Sequence, residues 1–215
     1  MMFKDRIEAG EQLANKLLEY KNNKKAIVVT IPRGGLPIGH IIAKKLNLPL
    51  EIVLSKKIGH PLHKEFAIGA ITLDDIILSE NARDISNSYI DTETSRIRAI
   101  LKNRQDMYYG SSTPTNLKDK TVILVDDGVA TGQTLISSIN LIHQQQPSQI
   151  IVALPVGPPS VIDKIKNMSS VNNTICLLTP FNFQAVGQFY KEFYQVDDSE
   201  VIRLLKEANQ TKIKD

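Results

Sequence analysis

The sequence predicts an α/β fold whose centre is a parallel sheet of about five strands with helices on both faces. Strand-like and helix-like segments alternate along the chain, which is typical of a parallel sheet with crossover helices. Most strand-like segments are continuously apolar, as expected for strands that are covered on both faces. The length of 215 residues, with 42% hydrophobic and 23% charged side chains, predicts one globular domain over residues 1–215.

The strands are predicted from short apolar or β-branched runs. These runs are AIVVTI (26–31), LEIVLS (50–55), TVILVDD (121–127), QIIVALPV (149–156) and TICLLTP (174–180). Residues 67–79 are compatible with two further short strands. The segment SKKIGHPLHKEF (55–66) has no clean periodicity, so we predict a long mobile loop there.

The helices are predicted from apolar positions that recur every three or four residues. The first helix lies within 3–20, and its apolar face would carry Phe3, Ile7, Ala14, Leu17 and Leu18. The others are predicted after PRGG to about Leu46, over about 86–106, and at 133–145, 158–167 and 197–208. Proline in the first turn and aspartate or serine caps support the last two starts.

Composition and charge exclude several classes of protein. The net charge of +3 is too small to indicate a nucleic-acid or membrane partner. The longest apolar run is the five residues 150–154, whereas a membrane-spanning helix needs about 20. The first residues have no apolar core like that of a signal peptide, so we expect a cytoplasmic protein. The lone Cys176 and Met168 are predicted to pack in the core.

The most informative stretch is VILVDDGVATGQTL (122–135). Ligands of parallel sheets bind beyond the carboxyl ends of the strands, and here Asp126 and Asp127 follow a predicted strand directly. A glycine- and threonine-containing turn then leads into a helix, whose first N–H groups and dipole favour a phosphate. The paired carboxylates are suited to ribose hydroxyls or to a Mg²⁺ shell. Together they indicate a sugar phosphate.

Two other phosphate-binding motifs do not match this turn. No lysine follows the second glycine, which excludes a Walker A loop, and the dinucleotide spacing G-x-G-x-x-G is absent. The structural alternative is a tight strand–helix turn in which Asp127 merely caps the helix.

VILVDDGVATGQT resembles the signature of type I phosphoribosyltransferases, which bind 5-phosphoribosyl-1-pyrophosphate (PRPP). IPRGGLPIG (31–39) is similar to the pyrophosphate loop and following helix of that family, and residues 56–71 lie where it has a flexible active-site loop. The combination of PRGG, FAIGAI, VDDGVATG and QVDDSEV is most similar to a subgroup of predicted phosphoribosyltransferases of unknown acceptor. The resemblance covers most of residues 27–200.

The resemblance implies a role for each motif residue. Asp126 and Asp127 would contact the ribose 2′ and 3′ hydroxyls, partly through Mg²⁺. Arg33 and the N–H groups of Gly34 and Gly35 would neutralise the leaving pyrophosphate, with help from the two lysines after the second strand. The 5′-phosphate would be held by Gly128, Val129, Ala130, Thr131, Gly132, Gln133 and Thr134. The implied catalytic residues are Asp126, Asp127, Arg33, Lys56 and Lys57.

For the basic residues there are plainer interpretations. PRGG can be an ordinary turn with a surface arginine, and Lys56 and Lys57 can lie in a solvated loop. His60 and His63 have a spacing that suits a metal, but no second ligand pair accompanies them, so we assign no metal to them. In some relatives the peptide that corresponds to Arg33–Gly34 is cis.

The acceptor is the least determined part of the prediction. Some purine-using relatives carry an acid directly before the threonine of the PRPP loop, where this chain has Ala130, so a 6-oxopurine is not favoured. Aromatic side chains can stack on a flat base, or they can instead pack in a hood or a subunit interface. The candidate pocket residues are Val156, Gly157, Phe181, Phe183, Phe189 and Tyr190.

The resemblance implies Mg²⁺-dependent transfer of a phosphoribosyl group from PRPP to a nitrogen of a nucleobase-like acceptor, with release of pyrophosphate. It also implies a homodimer and a small hood formed by the N-terminal helix, the C-terminal segment or both. One alternative is a regulator that senses PRPP or a nucleotide without turnover and touches RNA, although no cluster of cationic and aromatic residues supports a nucleic-acid partner. Another is a hydrolase that uses water as the acceptor.

Overall fold

A computed structural model describes residues 2–64, 66–110 and 113–210 of the chain. The strands in this part are β1 (Ala26–Thr30), β2 (Leu50–Ile52), β3 (Lys56–Gly59), β4 (Ala67–Ile71), β5 (Ile76–Leu78), β6 (Thr121–Val125), β7 (Gln149–Val156) and β8 (Asn173–Leu178). The α-helices are α1 (Arg6–Lys16), α2 (Gly35–Leu46), α3 (Asn87–Tyr109), α4 (Gln133–Gln144), α5 (Pro159–Lys166) and α6 (Asp198–Gln210).

The central sheet has five parallel strands in the order β2-β1-β6-β7-β8, which confirms the predicted fold class. Consecutive side chains of β1 point to opposite faces, as the pleat requires. On one face, Val28 packs with α1, α2 and α6. On the other face, Ile27 packs with α4 and α5. Every residue of β1 and β6 is buried, which explains why these strands are continuously apolar.

A second sheet of three antiparallel strands has the order β3-β4-β5. It packs on α3, with Ile58, Ile68, Ile97 and Leu101 buried between them. The predicted loop at 55–66 is therefore wrong at its start, because Lys56–Gly59 pairs with β4 as a strand. Burial of Ile58 against α3 gives this short polar segment the apolar anchor that its periodicity does not reveal.

The apolar face of α1 also differs from the prediction. The buried residues of the helix are Arg6, Ala9, Gly10, Leu13 and Ala14. Ile7 is 48% exposed and Leu18, just beyond the helix, is 50% exposed. The stripe that faces α2 is therefore made largely of small residues, which let the two helices approach closely.

Residues 2–5 and 186–194 meet over one end of the central sheet, and we call them the hood. The Phe3 N–H donates to the Phe189 carbonyl at 2.8 Å, and the Lys191 N–H donates to the Phe3 carbonyl at 2.9 Å. The rings of Phe3 and Tyr190 lie 5.4 Å apart. The hood is therefore built from the segment that precedes α1 and from a segment that precedes α6. Among the residues described, no helix is long and apolar enough to cross a membrane.

Candidate functional site

The segments after β1 and β6 meet at the carboxyl edge of the sheet because these two strands are neighbours. The Ile31 N–H donates to the Val125 carbonyl at 3.0 Å, so the PRGG turn (32–35) continues alongside Asp126 and Asp127. A Cβ atom on Gly34 would lie 2.7 Å from Asp127 Cγ, and one on Gly35 would lie 2.9 Å from Asp126 Cα. Two glycines are therefore needed for this backbone to lie directly on the aspartate pair.

The PRGG turn contains a cis peptide between Pro32 and Arg33. This bond lies one residue before the Arg33–Gly34 peptide that the sequence resemblance brings into consideration. The turn then leads directly into α2, since the Gly35 N–H donates to the Ile31 carbonyl at 3.2 Å.

The aspartate pair carries more negative charge than its surroundings compensate. Burial raises the pKa of Asp126 well above its usual range, and the neighbouring Asp127 carboxylate raises it further. The Asp127 N–H donates to Asp126 Oδ1 at 2.9 Å and opposes that rise. Burial also raises the pKa of Asp127, against the opposing effect of Arg6. A cation beside the pair would relieve this repulsion.

The structure adds Arg6, which the sequence analysis does not identify. Its Nε and Nη2 donate to Asp127 Oδ2 at 3.0 and 2.7 Å. Its Nη1 donates to the Tyr194 carbonyl at 2.7 Å, and its guanidinium lies 3.9 Å from the centre of the Phe193 ring. Tyr190 also reaches the pair, because its hydroxyl donates to the Asp127 main-chain carbonyl at 2.6 Å. The sequence feature that points to Arg6 is its helical spacing from Ala9, Gly10 and Leu13, which lie on the buried face of α1.

The predicted phosphate loop follows the pair and ends at the start of α4. Gly132 precedes the helix with a left-handed φ of 79°, and no side chain caps the helix start. The first N–H groups of a helix have no intrahelical partner, and here no capping side chain accepts from them. The side chains of Thr131 and Thr134 are exposed beside them. This arrangement can hold an anion.

One predicted member of the loop is used differently. The Val129 N–H donates to the Val156 carbonyl at 2.9 Å, and the Val129 side chain is buried. A Cβ atom on Gly128 would lie 2.7 Å from Val186 Cγ1 of the hood, and one on Gly157 would lie 2.5 Å from Val129 Cγ1. Val129 thus anchors the loop to β7, while the exposed Ala130, Thr131, Gln133 and Thr134 remain open to solvent.

The predicted basic residues are not all brought together. The Arg33 side chain is 38% exposed and lies 3.8 Å from Asp198 at the start of α6. Asp198 also accepts a hydrogen bond from the Tyr108 hydroxyl. Lys56 and Lys57 lie on β3, where consecutive side chains point to opposite faces. Lys56 is close enough to Glu93 of α3 to help Arg96 lower the pKa of that carboxyl.

The candidate acceptor residues divide into two groups. Val156 and Gly157 lie at the end of β7, beside the phosphate loop, and Phe181 is 96% exposed. The Phe183 and Phe189 rings stack with centres 5.4 Å apart, and Phe189 and Tyr190 are buried. Phe189 and Tyr190 therefore pack in the hood, which agrees with the alternative that these aromatic side chains have a structural role.

The Asp126–Asp127 pair has the oxygen donors that Mg²⁺ prefers. Mg²⁺ is commonly held by one or two carboxylates together with substrate phosphates, and Asp126 and Asp127 supply such a pair. Within residues 2–64, 66–110 and 113–210, no cluster of three or more His, Cys, Asp or Glu side chains could hold a metal without a substrate. The rings of His60 and His63 lie 6.0 Å apart, and neither residue is part of a metal-binding cluster among the described residues.

Comparison with known proteins identifies the family of the chain. The profile of the family described as "Phosphoribosyl transferase domain" matches residues 3–184. A Mycobacterium tuberculosis H37Rv protein with a provisional phosphoribosyl transferase name is 30% identical over 212 residues, which cover 97% of this chain and 47% of that protein. The chain thus spans about half the length of that curated relative.

Two further proteins are similar over most of the chain. The "Bifunctional protein PyrR" of Clostridium kluyveri is 30% identical over 135 residues, which cover 61% of this chain and 70% of that protein. The crystal structure of TT1426 from Thermus thermophilus has a TM-score of 0.86 and 33% identity, covering 96% of this chain and 99% of that one. The profile match covers most of the chain and agrees with the sequence relative, and the chain therefore belongs to the phosphoribosyl transferase domain family.

Proposed function

We propose that this protein transfers a phosphoribosyl group from PRPP to a nitrogen atom of a nucleobase-like acceptor, in a Mg²⁺-dependent reaction that releases pyrophosphate. The observation that carries the proposal is the contact between the Gly34–Gly35 backbone and the Asp126–Asp127 pair. It supports a pyrophosphate subsite and a ribose subsite side by side. The uncapped start of α4 supports a phosphate subsite on the other side of the ribose.

Each subsite has its own task in the proposed reaction. Asp126 and Asp127 accept hydrogen bonds from the ribose hydroxyls, and the loop 128–134 holds the 5′-phosphate. Arg33 and the N–H groups of Gly34 and Gly35 bind the pyrophosphate, and Lys56 and Lys57 are proposed to approach it when substrate is present. When bound, Mg²⁺ would help to neutralise the charge of the leaving group.

The bond from ribose C1′ to the pyrophosphate oxygen breaks, and its electron pair leaves with pyrophosphate. The acceptor nitrogen then supplies the electron pair of the new bond to C1′ and gives up its proton, so that the products are the phosphoribosyl acceptor, pyrophosphate and one proton. The chain assists by fixed donors aimed at the pyrophosphate, where negative charge develops. It also has to exclude water from the cation-like ribose, because water would compete with the acceptor.

We further propose that residues 1–215 act as one domain, in a homodimer and in the cytoplasm. The acceptor is proposed to be other than a 6-oxopurine, because Ala130 stands where some purine-using relatives carry an acid. Light scattering on the purified protein tests the dimer, since a monomeric mass at micromolar concentration would contradict it.

The test of the activity is calorimetric titration with Mg²⁺–PRPP, followed by a pyrophosphate-release assay with purine, pyrimidine and other nitrogen acceptors. Acceptor-dependent release supports the transferase, and release without any acceptor supports the hydrolase. Binding without release from any acceptor supports a PRPP-sensing regulator. The matched control is the double variant Asp126→Asn and Asp127→Asn. Equal PRPP affinity of this variant and the wild type would refute the proposed site.

A further inference from the structure

We infer that Arg6 is a positioning residue for ribose recognition: it holds one oxygen of the Asp127 carboxylate and leaves the other to accept from a ribose hydroxyl. The inference rests on the proposed function, because it concerns the proposed ribose subsite. It adds to that function a residue from α1, 121 positions away from Asp127 in the chain.

The geometry of the ion pair is one-sided. Both donors of the guanidinium that reach the carboxylate, Nε and Nη2, converge on Oδ2, at 3.0 and 2.7 Å. In a bidentate arginine–carboxylate pair, by contrast, each carboxylate oxygen accepts from a different nitrogen of the guanidinium. Among the described residues, no side chain donates a hydrogen bond to Oδ1, and the main-chain donor that acts on this carboxyl group is the N–H of Asp127 itself. The pair therefore divides the carboxylate into a held oxygen and an available one.

Arg6 itself has little freedom to move. The residue is 3% exposed and begins α1, whose first turn is capped by the Asp5 side chain. Its third donor group, Nη1, is occupied by the Tyr194 carbonyl, and the Phe193 ring covers one face of the guanidinium. The hood thus fixes the arginine before any ligand arrives, so the cost of ordering it is not incurred on binding.

The Asp127 carboxylate is confined from its other sides as well. The Gly34 Cα lies against it, and the Tyr190 hydroxyl holds the main-chain carbonyl of the same residue. The charged groups that face this carboxylate are Arg6 from α1 and Asp126 from its own loop, with the Tyr190 hydroxyl in the hood. Arg6 is the cation among them, so its removal would free the rotamer of Asp127 and leave two carboxylates side by side.

A purely structural role would give a different outcome. Buried ion pairs contribute little net stability compared with apolar replacements of similar size, so stability alone is a weak reason for this one. The two roles separate with two probes, ribose 5-phosphate and inorganic phosphate. Both can fill the phosphate loop, but only ribose 5-phosphate offers hydroxyl groups to Asp127.

The experiment measures the affinity of both probes for the wild type, Arg6→Met and Arg6→Lys, with thermal unfolding measured in parallel. We expect Arg6→Met to lower the affinity for ribose 5-phosphate by about tenfold, as the loss of one charge-assisted contact implies. Its affinity for inorganic phosphate should stay within about twofold of the wild-type value. Arg6→Lys should recover most of the ribose preference. Arg203→Met, at an exposed arginine of α6, is the matched control and should change neither affinity.

Each result decides between the proposals. A wild type that binds ribose 5-phosphate no better than phosphate would overturn the proposed ribose subsite itself. A wild type with that preference, and an Arg6→Met variant that keeps it or loses both affinities equally, would overturn only the role of Arg6. If Arg6→Met does not fold, Arg6→Gln replaces it, and an unchanged ratio of the two affinities in that variant would equally overturn the inference.

Discussion

Gly34 and Asp127 are in direct contact across the carboxyl edge of the sheet, although they lie far apart in the chain. A Cβ atom on Gly34 would overlap the Oδ2 oxygen of Asp127 and lie 2.7 Å from its Cγ. The PRGG turn and the aspartate pair therefore fit together only because one side chain is absent. This contact sets the distance between the proposed pyrophosphate and ribose subsites.

The substitution Gly34→Ala should therefore weaken Mg²⁺–PRPP binding by about tenfold or more, because the added Cβ displaces the PRGG turn or the Asp127 carboxylate and the loss of one hydrogen bond to a charged group costs about 1.5 kcal/mol. Calorimetry measures the change. Gly110→Ala is the control, since a Cβ there meets no described atom within 4 Å and only its left-handed φ of 59° adds strain. Unchanged affinity in Gly34→Ala would contradict the contact.

The aspartate pair should reduce stability at neutral pH. The folded-state pKa values of Asp126 and Asp127 are raised above the model-compound value of 3.8, so the folded state retains protons that the unfolded state releases. The stability that the protonated pair contributes is complete below that value and is lost as the pH rises through the raised values.

Asp126→Asn should remove most of the loss of stability between acidic and neutral pH, because an amide does not ionise. We expect its Tm to match that of the wild type at pH 4 and to exceed it by a few degrees at pH 7, since each kcal/mol shifts Tm by about 2–4 °C in a domain of this size. Thermal unfolding from pH 4 to 8 measures both. Asp163→Asn, an exposed acid on α5, should show no such difference. Equal stability of wild type and Asp126→Asn at pH 7 would show that the pair is not strained.

Tyr109 should be important for stability away from the site. Its hydroxyl donates to the buried Glu51 carboxylate at 2.6 Å and accepts from the Ile52 N–H at 3.3 Å. Thr115 supplies the remaining donors to Glu51, through Oγ1 at 2.5 Å and its N–H at 3.2 Å. Tyr109→Phe should lower the free energy of unfolding by about 1–3 kcal/mol, the cost of leaving buried polar groups unpaired.

Urea denaturation measures the effect of Tyr109→Phe. Tyr20→Phe serves as the control, because no hydrogen bond of the described residues involves the Tyr20 hydroxyl. A loss below about 0.5 kcal/mol in Tyr109→Phe, within the range of ordinary surface changes, would indicate that water replaces the hydroxyl.

Cys176 should react slowly with thiol reagents. Burial raises the pKa of its thiol to about 11, and Sγ donates to the Leu178 carbonyl at 3.2 Å. At pH 8 roughly one thiol in a thousand would be ionised, against about a quarter of free cysteine. Iodoacetamide labelling followed by mass spectrometry checks this, with urea-unfolded protein as the reactive reference. Labelling as fast in the native as in the unfolded protein would contradict the burial of this thiol.

The central sheet could be predicted from sequence because burial on both faces leaves a local signature. Runs such as Ile150–Leu154 contain no polar residue, and each short predicted strand lies within two or three residues of the observed one. The start of the second sheet could not be predicted in this way. Lys56–Gly59 becomes a strand only through pairing with β4 and burial of Ile58, which are long-range contacts.

The sequence predicts the part of the candidate site that lies within one short motif. The two aspartates, the glycines and the uncapped helix start stand together in one short segment, so their proximity needs no tertiary information. Arg6 lies outside any motif. It occupies a buried position in the stripe with Ala9, Gly10, Leu13 and Ala14, but a search for hydrophobic residues alone selects the exposed Ile7 instead.

The hood has a consequence for how the protein is made. Phe3 and Arg6 are synthesised about 190 residues before their partners, Tyr190 and Tyr194. A nascent or prematurely terminated chain that stops before Tyr190 would already contain PRGG and the complete aspartate motif, but without the hood to fix the arginine that braces Asp127. The proposed ribose recognition would thus be acquired only after Tyr194 has been synthesised, although both motifs are made long before.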